Sequence, residues 1–378
     1  MDLARFWNFS AGPSMLPDPV LNQISIDILD WNSTGISVAD INHRSKHFEI
    51  IYNEAESYLR SLLELSSDYC ILFMQGGGQG ANAIVPMNMI GRNRANKADF
   101  IISGYWSSKS YLEACRYGDV SVIADNSYIT KIDDHDYDPY TWFPANESIK
   151  TRYGSSYLQF CSNETINGVE FVDWSGIANN INSDAVLVVD ASSNLLTRKL
   201  DINCTGVVFA CAQKNAGISG VTIFIVRKDL IGKALHICPS IFDYMNIFNE
   251  HSRYNTPPVF AIYVTGLVLK WLKMNGGIKR MEYSNLEKSQ LLYNFIDSTS
   301  FYINKIHSSV RSRVNIPFFL SNNLLTDIFI EKAENLGLMN IRGHRSLGGL
   351  RASIYNAMPI DGVMALINYM RDFECYYG

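Results

Sequence analysis

Between residues 69 and 226, short apolar runs rich in β-branched residues return seven times, separated by longer polar or amphipathic stretches. They are YCILFM (69–74), DFIIS (99–103), VSVIA (120–124), YLQF (157–160), AVLVVD (185–190), GVVFACA (206–212) and VTIFIV (221–226). Strands that are apolar throughout must be covered on both faces, so this rhythm predicts an α/β domain built on a mostly parallel sheet of seven strands. The last two runs are separated only by residues 213–220. That is too short for a helical crossover, so this pair should be antiparallel and the sheet mixed.

With 378 residues, 47% of them hydrophobic, the chain exceeds the size at which a single core usually stops growing. A large and a smaller domain are expected. A formal charge of -5 gives no electrostatic reason to hold a polyanion, which argues against non-specific nucleic-acid binding. The N-terminus carries Asp2 and Arg5 among its apolar residues and prolines at 13 and 17, so it lacks the apolar core of a signal peptide, and a cytoplasmic location is expected. The longest apolar stretch, Val259 to Leu269, is too short to span a bilayer and runs into Lys270 and Lys273; it reads as a buried helix, with no membrane association. Seven cysteines show no CxxC or comparable ligand spacing, so no metal site is expected and the thiols should be reduced and interior.

Three segments organise the rest of the chain. Residues 1–17, with Gly12, Pro13 and Pro17, read as an extended arm. After the sheet, Thr256 can cap a helix with Pro257 and Pro258 in its first turn, running through VFAIYVTGLVLKWLKM and stopping at Asn275, Gly276 and Gly277. Beyond it, the apolar runs VNIPFFL (314–320), TDIFI (326–330) and LRASIY (350–355) lie between helical patterns at 284–297 and 360–374, an α+β pattern. The expected division is therefore arm 1–17, large domain 18–258, and linking helix with small domain 259–378.

In open α/β sheets, ligands bind at the carboxyl ends of the strands. Three such positions stand out. The first run ends in Gln75 and GGGQG (76–80) and enters a helical stretch; successive glycines and a helix N-terminus can cradle a phosphate, although a tight strand-to-helix turn explains the glycines equally well. The same residues fit a GxGxxA dinucleotide fingerprint, but that needs an acidic residue ending the next strand, and DFIIS ends in Ser103 and Gly104. The second position is Asp190, closing an apolar run. It can keep a pyridine nitrogen protonated, or it can simply cap the turn through Ser192 and Ser193. The third is Lys214, directly after a buried strand among small residues, where partial desolvation would leave the amine nucleophilic. Together these supply the phosphate, ring-nitrogen and aldehyde partners of pyridoxal phosphate. Trp106, in GYWSS, is placed to stack on the ring or to serve as an ordinary core tryptophan.

The chain resembles the phosphoserine aminotransferases, pyridoxal-phosphate enzymes of fold type I, from end to end. The resemblance rests on NFSAGPSMLP (8–17), HRSK (43–46), GGGQG (76–80), GYW (104–106), NETINGVE (163–170), AQKN (212–215), NTPP (255–258), GHR (343–345) and GGLRASIYNAMP (348–359). It implies that Lys214 carries the cofactor as a Schiff base and that Asp190 pairs with the pyridine nitrogen. Trp106 and Thr165 would lie against the ring, with Gly78, Gln79 and Gln213 at the phosphate. Asn255 and Thr256 would reach the phosphate of a neighbouring subunit, making the enzyme a homodimer. Arg351 would take the α-carboxylate, and His43, Arg44, His344 and Arg345 would surround the distal anion; guanidinium groups suit both carboxylate and phosphate.

The implied reaction is a ping-pong transamination of phosphoserine and 3-phosphohydroxypyruvate with glutamate and 2-oxoglutarate, in serine synthesis. Relatives in some bacteria also act on the phosphorylated hydroxythreonine intermediate of vitamin B6 synthesis. Two residues depart from the pattern: Asn42 stands where many relatives have Ser, and Gln79 where Arg is found, which removes a charge from the proposed phosphate site. The alternatives are another fold type I enzyme, such as a cysteine desulfurase or a different aminotransferase, and a non-catalytic relative that binds the cofactor.

Overall fold

A computed structural model of the chain describes residues 5–132 and 135–378. All seven runs are strands of one sheet: β1 (Tyr69–Met74), β2 (Lys97–Ile102), β3 (Asp119–Asp125), β4 (Ser155–Cys161), β5 (Val186–Asp190), β6 (Val207–Cys211) and β7 (Thr222–Arg227). Their order is β1-β7-β6-β5-β4-β2-β3. Only β7 is reversed, antiparallel to both β6 and β1. The short connection from β6 to β7 holds one helical turn, Ala212–Asn215, which carries Lys214 over the end of the sheet.

Side chains of successive strand residues point to opposite faces, and the two faces are covered by different helices. Ile71 and Phe73 of β1 enter one core, and Cys70, Leu72 and Met74 enter another on the opposite face. Burying each large apolar side chain contributes ~1.5–3 kcal/mol, which is why neither face tolerates polar alternation. The first core is closed by α1 (Lys46–Leu62), whose buried residues Phe48, Ile51, Tyr52, Ala55 and Leu59 form one helical stripe. The core on the opposite face is closed in part by α2 (Gly77–Met89), which starts inside the glycine run, and is bordered by α3 (Tyr105–Ala114).

The apolar segment after the sheet is α4 (Val259–Met274), packed against α1 with Gly266 over Ala55. Thr256 does not cap it. The helix starts at Val259 with Pro258 as its N-cap, because a residue preceding proline is disfavoured in the helical region, and both Thr256 and Pro257 precede one. From Gly276, whose φ of 89° suits glycine, the chain enters α5 (Gly277–Asp297), seven residues earlier than the apolar pattern indicates.

A second core gathers the later part of α5 with β8 (Tyr302–Ile303), β9 (Asn315–Leu320), α6 (Thr326–Asn335), β10 (Leu350–Ser353) and α7 (Ile360–Tyr377). Strands β8, β9 and β10 form a three-stranded sheet. TDIFI opens α6 and is not a strand. Its buried residues Phe329, Ile330 and Ala333 fall at helical spacing, and a five-residue apolar run cannot by itself distinguish the two periods. The buried face of α4 lies wholly in the first core, and Met281 of α5 still belongs to it, so the packing changes partner within α5.

The described part of the arm joins the second core to the lysine turn. Trp7–Asn8 pairs in parallel with Leu338–Met339, and Phe9 and Met15 are buried among the residues of the second core. Farther along, the Ser14 N–H donates to the Gln213 carbonyl at 2.9 Å, and its hydroxyl donates to the Lys214 carbonyl. Residues 1–4 lie outside the described residues.

Candidate active site

Strands β4, β5 and β6 end side by side, with Asp190 in register with Cys161 and with Phe209. The chemistry-bearing residues project from this edge. The Lys214 ammonium donates to the hydroxyls of Thr165 at 2.6 Å and Ser193 at 3.0 Å, and those two hydroxyls lie 2.6 Å apart. It also stands 5.9 Å from the centre of the Trp106 ring. Lys214 and Trp106, proposed to carry and to stack on a cofactor ring, thus come together with Thr165 from three separate segments.

Asp190 is 8% exposed. Burial pushes its carboxyl above the ordinary range, while the nearby Lys214 charge and hydrogen bonds from Ser192 oppose that shift. Its Oδ1 accepts the Ser192 N–H at 2.9 Å. Asp190 caps the turn, the simpler of its two sequence readings, and it is also a buried carboxylate beside the lysine. A protonated ring nitrogen is the kind of partner that would stabilise the ionised form.

The glycine segment turns sharply, with φ of 118° at Gly76 and 60° at Gly77. The N–H groups opening α2 have no intrahelical acceptors, and the helix dipole favours an anion there. Behind it, a Cβ added to Gly78 would meet Cys211 Sγ at 3.4 Å, so the loop sits close against the end of β6. Gln79 is exposed, while Gln213 contributes its carbonyl to the arm. The donor set fits a phosphate bound by neutral hydrogen-bond donors without a cation.

Arg351, on β10, reaches the same cleft. Its Nη1 donates to the Thr165 carbonyl at 3.5 Å, and its buried Nε has no hydrogen-bond partner among the described residues. Burial lowers the guanidinium's proton affinity. A half-buried cation with an unused, buried donor calls for an anion, and a carboxylate offers the matching two-oxygen geometry. The indole N–H of Trp106 is likewise buried and without a partner among the described residues. His344 stands beside Tyr105, ring centres 5.3 Å apart, with its Nδ1 2.7 Å from the Ser346 hydroxyl. Burial and the charges of Arg351 and Arg345 push its imidazolium towards the neutral form. Arg345 is exposed on the same loop.

Four expected site residues are not hydrogen-bonded to that set among the described residues, although Gln75, at the head of the glycine segment, donates to the Thr256 carbonyl at 3.5 Å. His43 and Thr256 line an open groove of about 660 Å³ with Gly220 and Pro257. Arg44, next to His43, is exposed and has its N–H held by Asn42 Oδ1 at 2.8 Å. Asn255 donates to the Gln75 side chain at 3.1 Å. No hydrogen bond joins any of these four to Lys214, Asp190 or Arg351 among the described residues.

The sequence reading missed three residues that organise the cleft. Ser193 is a second hydroxyl for Lys214. Glu164 and Asn167 reach across to the start of α3, which carries Trp106: the Glu164 carboxylate accepts the N–H groups of Trp106 and Ser107, and Asn167 accepts that of Tyr105. The one signal for Ser193 was its place just beyond a strand-end carboxylate. Nothing local distinguishes Glu164 from a surface glutamate.

The profile of the Aminotransferase class-V family matches residues 6–366. A phosphoserine aminotransferase of Bordetella pertussis is 54% identical over 376 residues, covering 100% of both chains. One from Paraburkholderia phymatum is 46% identical, covering 98% of this chain and 99% of the other. Among solved structures, the phosphoserine aminotransferase of Bacillus circulans subsp. alkalophilus superposes with a TM-score of 0.92 at 36% identity, covering 99% of each chain. The pyridoxal-phosphate-bound enzyme of Trichomonas vaginalis superposes with a TM-score of 0.88 at 34% identity, covering 97% of this chain and 100% of the other. With the lysine, buried aspartate and unpaired arginine sharing one cleft, this chain belongs to the class-V aminotransferases and, within them, to the phosphoserine aminotransferase family.

Proposed function

We propose that this pyridoxal-phosphate-dependent aminotransferase converts 3-phosphohydroxypyruvate and glutamate to O-phosphoserine and 2-oxoglutarate, the amino-transfer step of serine synthesis. The observation that carries the reading is the meeting of Lys214, Asp190 and the unpaired Arg351 in one cleft. Pyridoxal phosphate, when bound, supplies an electron sink for negative charge at the substrate α-carbon. Lys214 would hold its aldehyde carbon, and Asp190 would hold the proton on its ring nitrogen. Gly78, Gln79 and Gln213 would take its phosphate, with Trp106 against its ring and Thr165 beside it.

Arg351 then fixes the amino donor by its α-carboxylate, which orients the α-hydrogen without taking part in proton transfer. With the donor's amine bound in its place, the Lys214 amine would serve as the base for that hydrogen. Thr165 and Ser193 offer it two hydroxyl partners between transfers. Neutral His344 with cationic Arg345 would meet the distal phosphate or carboxylate. A phosphorylated hydroxythreonine derivative shares that distal phosphate, and the proposal extends to it as a second substrate.

That His43, Arg44, Asn255 and Thr256 make no hydrogen bond to Lys214, Asp190 or Arg351 among the described residues is in keeping with a homodimer in which these residues serve the neighbour's site. The stretch leading to Asn255 exposes Ile237, Ile241, Met245, Phe248 and Tyr254, the apolar surface such a contact would cover. We place the enzyme in the cytoplasm; no helix among the described residues is long and apolar enough to cross a membrane. The domain division proposed is arm 1–17, large domain 18–258 and small domain 259–378, with α4 a linker in sequence that packs on the large core.

The test is an absorbance spectrum of the purified protein loaded with pyridoxal phosphate. Adding phosphoserine should replace the visible band of the lysine-bound cofactor by the band of the amine form, and 2-oxoglutarate should restore it. No band with cofactor supplied, or no response to phosphoserine, refutes the assignment.

A further inference from the structure

We propose that Glu164 is a positioning residue for the transfer reaction, fixing the Trp106 indole relative to Lys214. The inference rests on the functional reading above, in which Trp106 faces the cofactor and Lys214 carries it. Glu164 has no exposed surface. Among the described residues it has no cationic partner; its oxygens are filled by the Trp106 N–H at 3.0 Å, the Ser107 N–H at 2.9 Å and the Ser107 hydroxyl at 2.6 Å. Burial raises its carboxyl above the ordinary range, and these hydrogen bonds act against that shift.

Helices usually satisfy their first N–H groups with the side chain of their own N-cap residue. Here the N-cap is Gly104, which has no side chain, and a Cβ there would lie 2.4 Å from Glu164 Cδ. The glycine admits a carboxylate from a distant segment. Asn167 of the same turn takes the Tyr105 N–H at 3.1 Å, so three successive N–H groups at the start of α3 are held by one turn, residues 163–168. A carboxylate at a helix N-terminus is also favoured by the dipole.

The same turn holds the other parts of the site. Thr165, next to Glu164, accepts from Lys214 at 2.6 Å, and its carbonyl accepts from Arg351. The Glu164 carbonyl accepts the Gly168 N–H at 2.8 Å and closes the turn. Asn163 donates to Asn315 on β9 at 2.8 Å, which ties the turn to the second core. Through Glu164, the place of the Trp106 ring and the place of the hydroxyl under Lys214 are set together. A cap needed only for stability would not link them.

Glu164→Gln keeps the shape but turns a donor towards a backbone N–H that needs an acceptor. Three quantities would be measured: the near-ultraviolet dichroism of the cofactor-free protein, its affinity for pyridoxal phosphate, and kcat and KM for phosphoserine in the loaded enzyme. The expected result is a changed aromatic signal, weaker cofactor binding, and a fall in kcat of about ten- to a hundredfold with KM for phosphoserine near the wild-type value. Wild-type kcat per bound cofactor together with an unchanged aromatic signal overturns the proposal, whatever happens to Tm. Should Glu164→Gln fail to fold, Ser107→Ala removes one bond to the carboxylate, together with the acceptor of the Ser103 and Gly104 N–H groups, and leaves both backbone donors to Glu164. It should still lower kcat several-fold, and an unchanged kcat there overturns the proposal. If the wild-type protein itself does not turn over phosphoserine, the functional reading fails, while the cofactor-free signal still decides whether Glu164 positions Trp106.

Discussion

Replacing Lys288 by methionine should remove a pH dependence from the stability of this protein. Lys288 lies on α5, is 1% exposed, and donates to three backbone carbonyls, those of Ile354 at 3.1 Å, Tyr355 at 2.9 Å and Met358 at 2.8 Å. No carboxylate is paired with it among the described residues, and burial pushes its ammonium down from 10.5 to about 7. The native state therefore releases this proton before the unfolded chain does. Between those two values the unfolded state binds more protons, so stability climbs as pH rises; below about 7 both states are protonated and the contribution is flat. Integrated from pH 7 to pH 9, the gain is about 2 kcal/mol, since each pH unit in the window is worth at most about 1.4 kcal/mol. Lys288→Met lacks this contribution and leaves without a donor the carbonyls that the amine serves, at most two of the three once it is neutral, at about 1–3 kcal/mol each. The assay is urea unfolding of cofactor-free wild type and variant at equal protein concentration from pH 6 to pH 9. The variant should be the less stable at pH 9, with a gap about 2 kcal/mol smaller at pH 7. A gap that stays constant, or widens towards low pH, refutes the reasoning, because it means that Lys288 does not lose its proton on folding in this range.

Asp190→Asn should leave Lys214 able to bind pyridoxal phosphate while lowering kcat by about 10²–10³-fold, the usual cost of losing a preorganised charge at a reacting centre; rapid mixing with phosphoserine measures it. Arg351→Ala should raise KM for both phosphoserine and glutamate by about tenfold or more, because both present an α-carboxylate and a charged hydrogen bond is worth about 1.5–3 kcal/mol. An effect confined to one donor would move Arg351 to the distal site. Arg345→Ala should impair phosphoserine turnover far more than cofactor affinity, and equal losses of both would count against its place at the distal anion. Arg198→Met breaks a buried pair in which Arg198, 5% exposed, meets Glu170, 1% exposed, at 2.7 Å; it should cost about 3–5 kcal/mol in denaturant unfolding, by stranding the carboxylate.

Much of the fold was legible in the chain because its strands are buried on both faces. A run such as Val186–Val189 must be apolar at every position, and its end is marked by the first residue that is not, Asp190, at the strand end where ligands of such sheets bind. Lys214 was legible for the same reason, as a charged residue one turn beyond β6. The reversed direction of β7 followed from a loop too short to cross the sheet. TDIFI was misread as a strand because five residues do not separate a period of 2 from one of 3.6. Thr256 was misread as a cap because two prolines delay the helix by steric exclusion.

What the sequence by itself determined is therefore local and covalent: where strands run, where they stop, and which reactive group stands at each stop. Only the tertiary structure decided which of those groups meet. The placement of β1 next to β7, the arm's bond from Ser14 to Gln213, and the carboxylate of Glu164 at the start of α3 all join residues far apart in the chain. Such contacts leave little local trace, since a buried glutamate and a solvated one are the same letter. The partner that makes burial tolerable comes from wherever the core brings it.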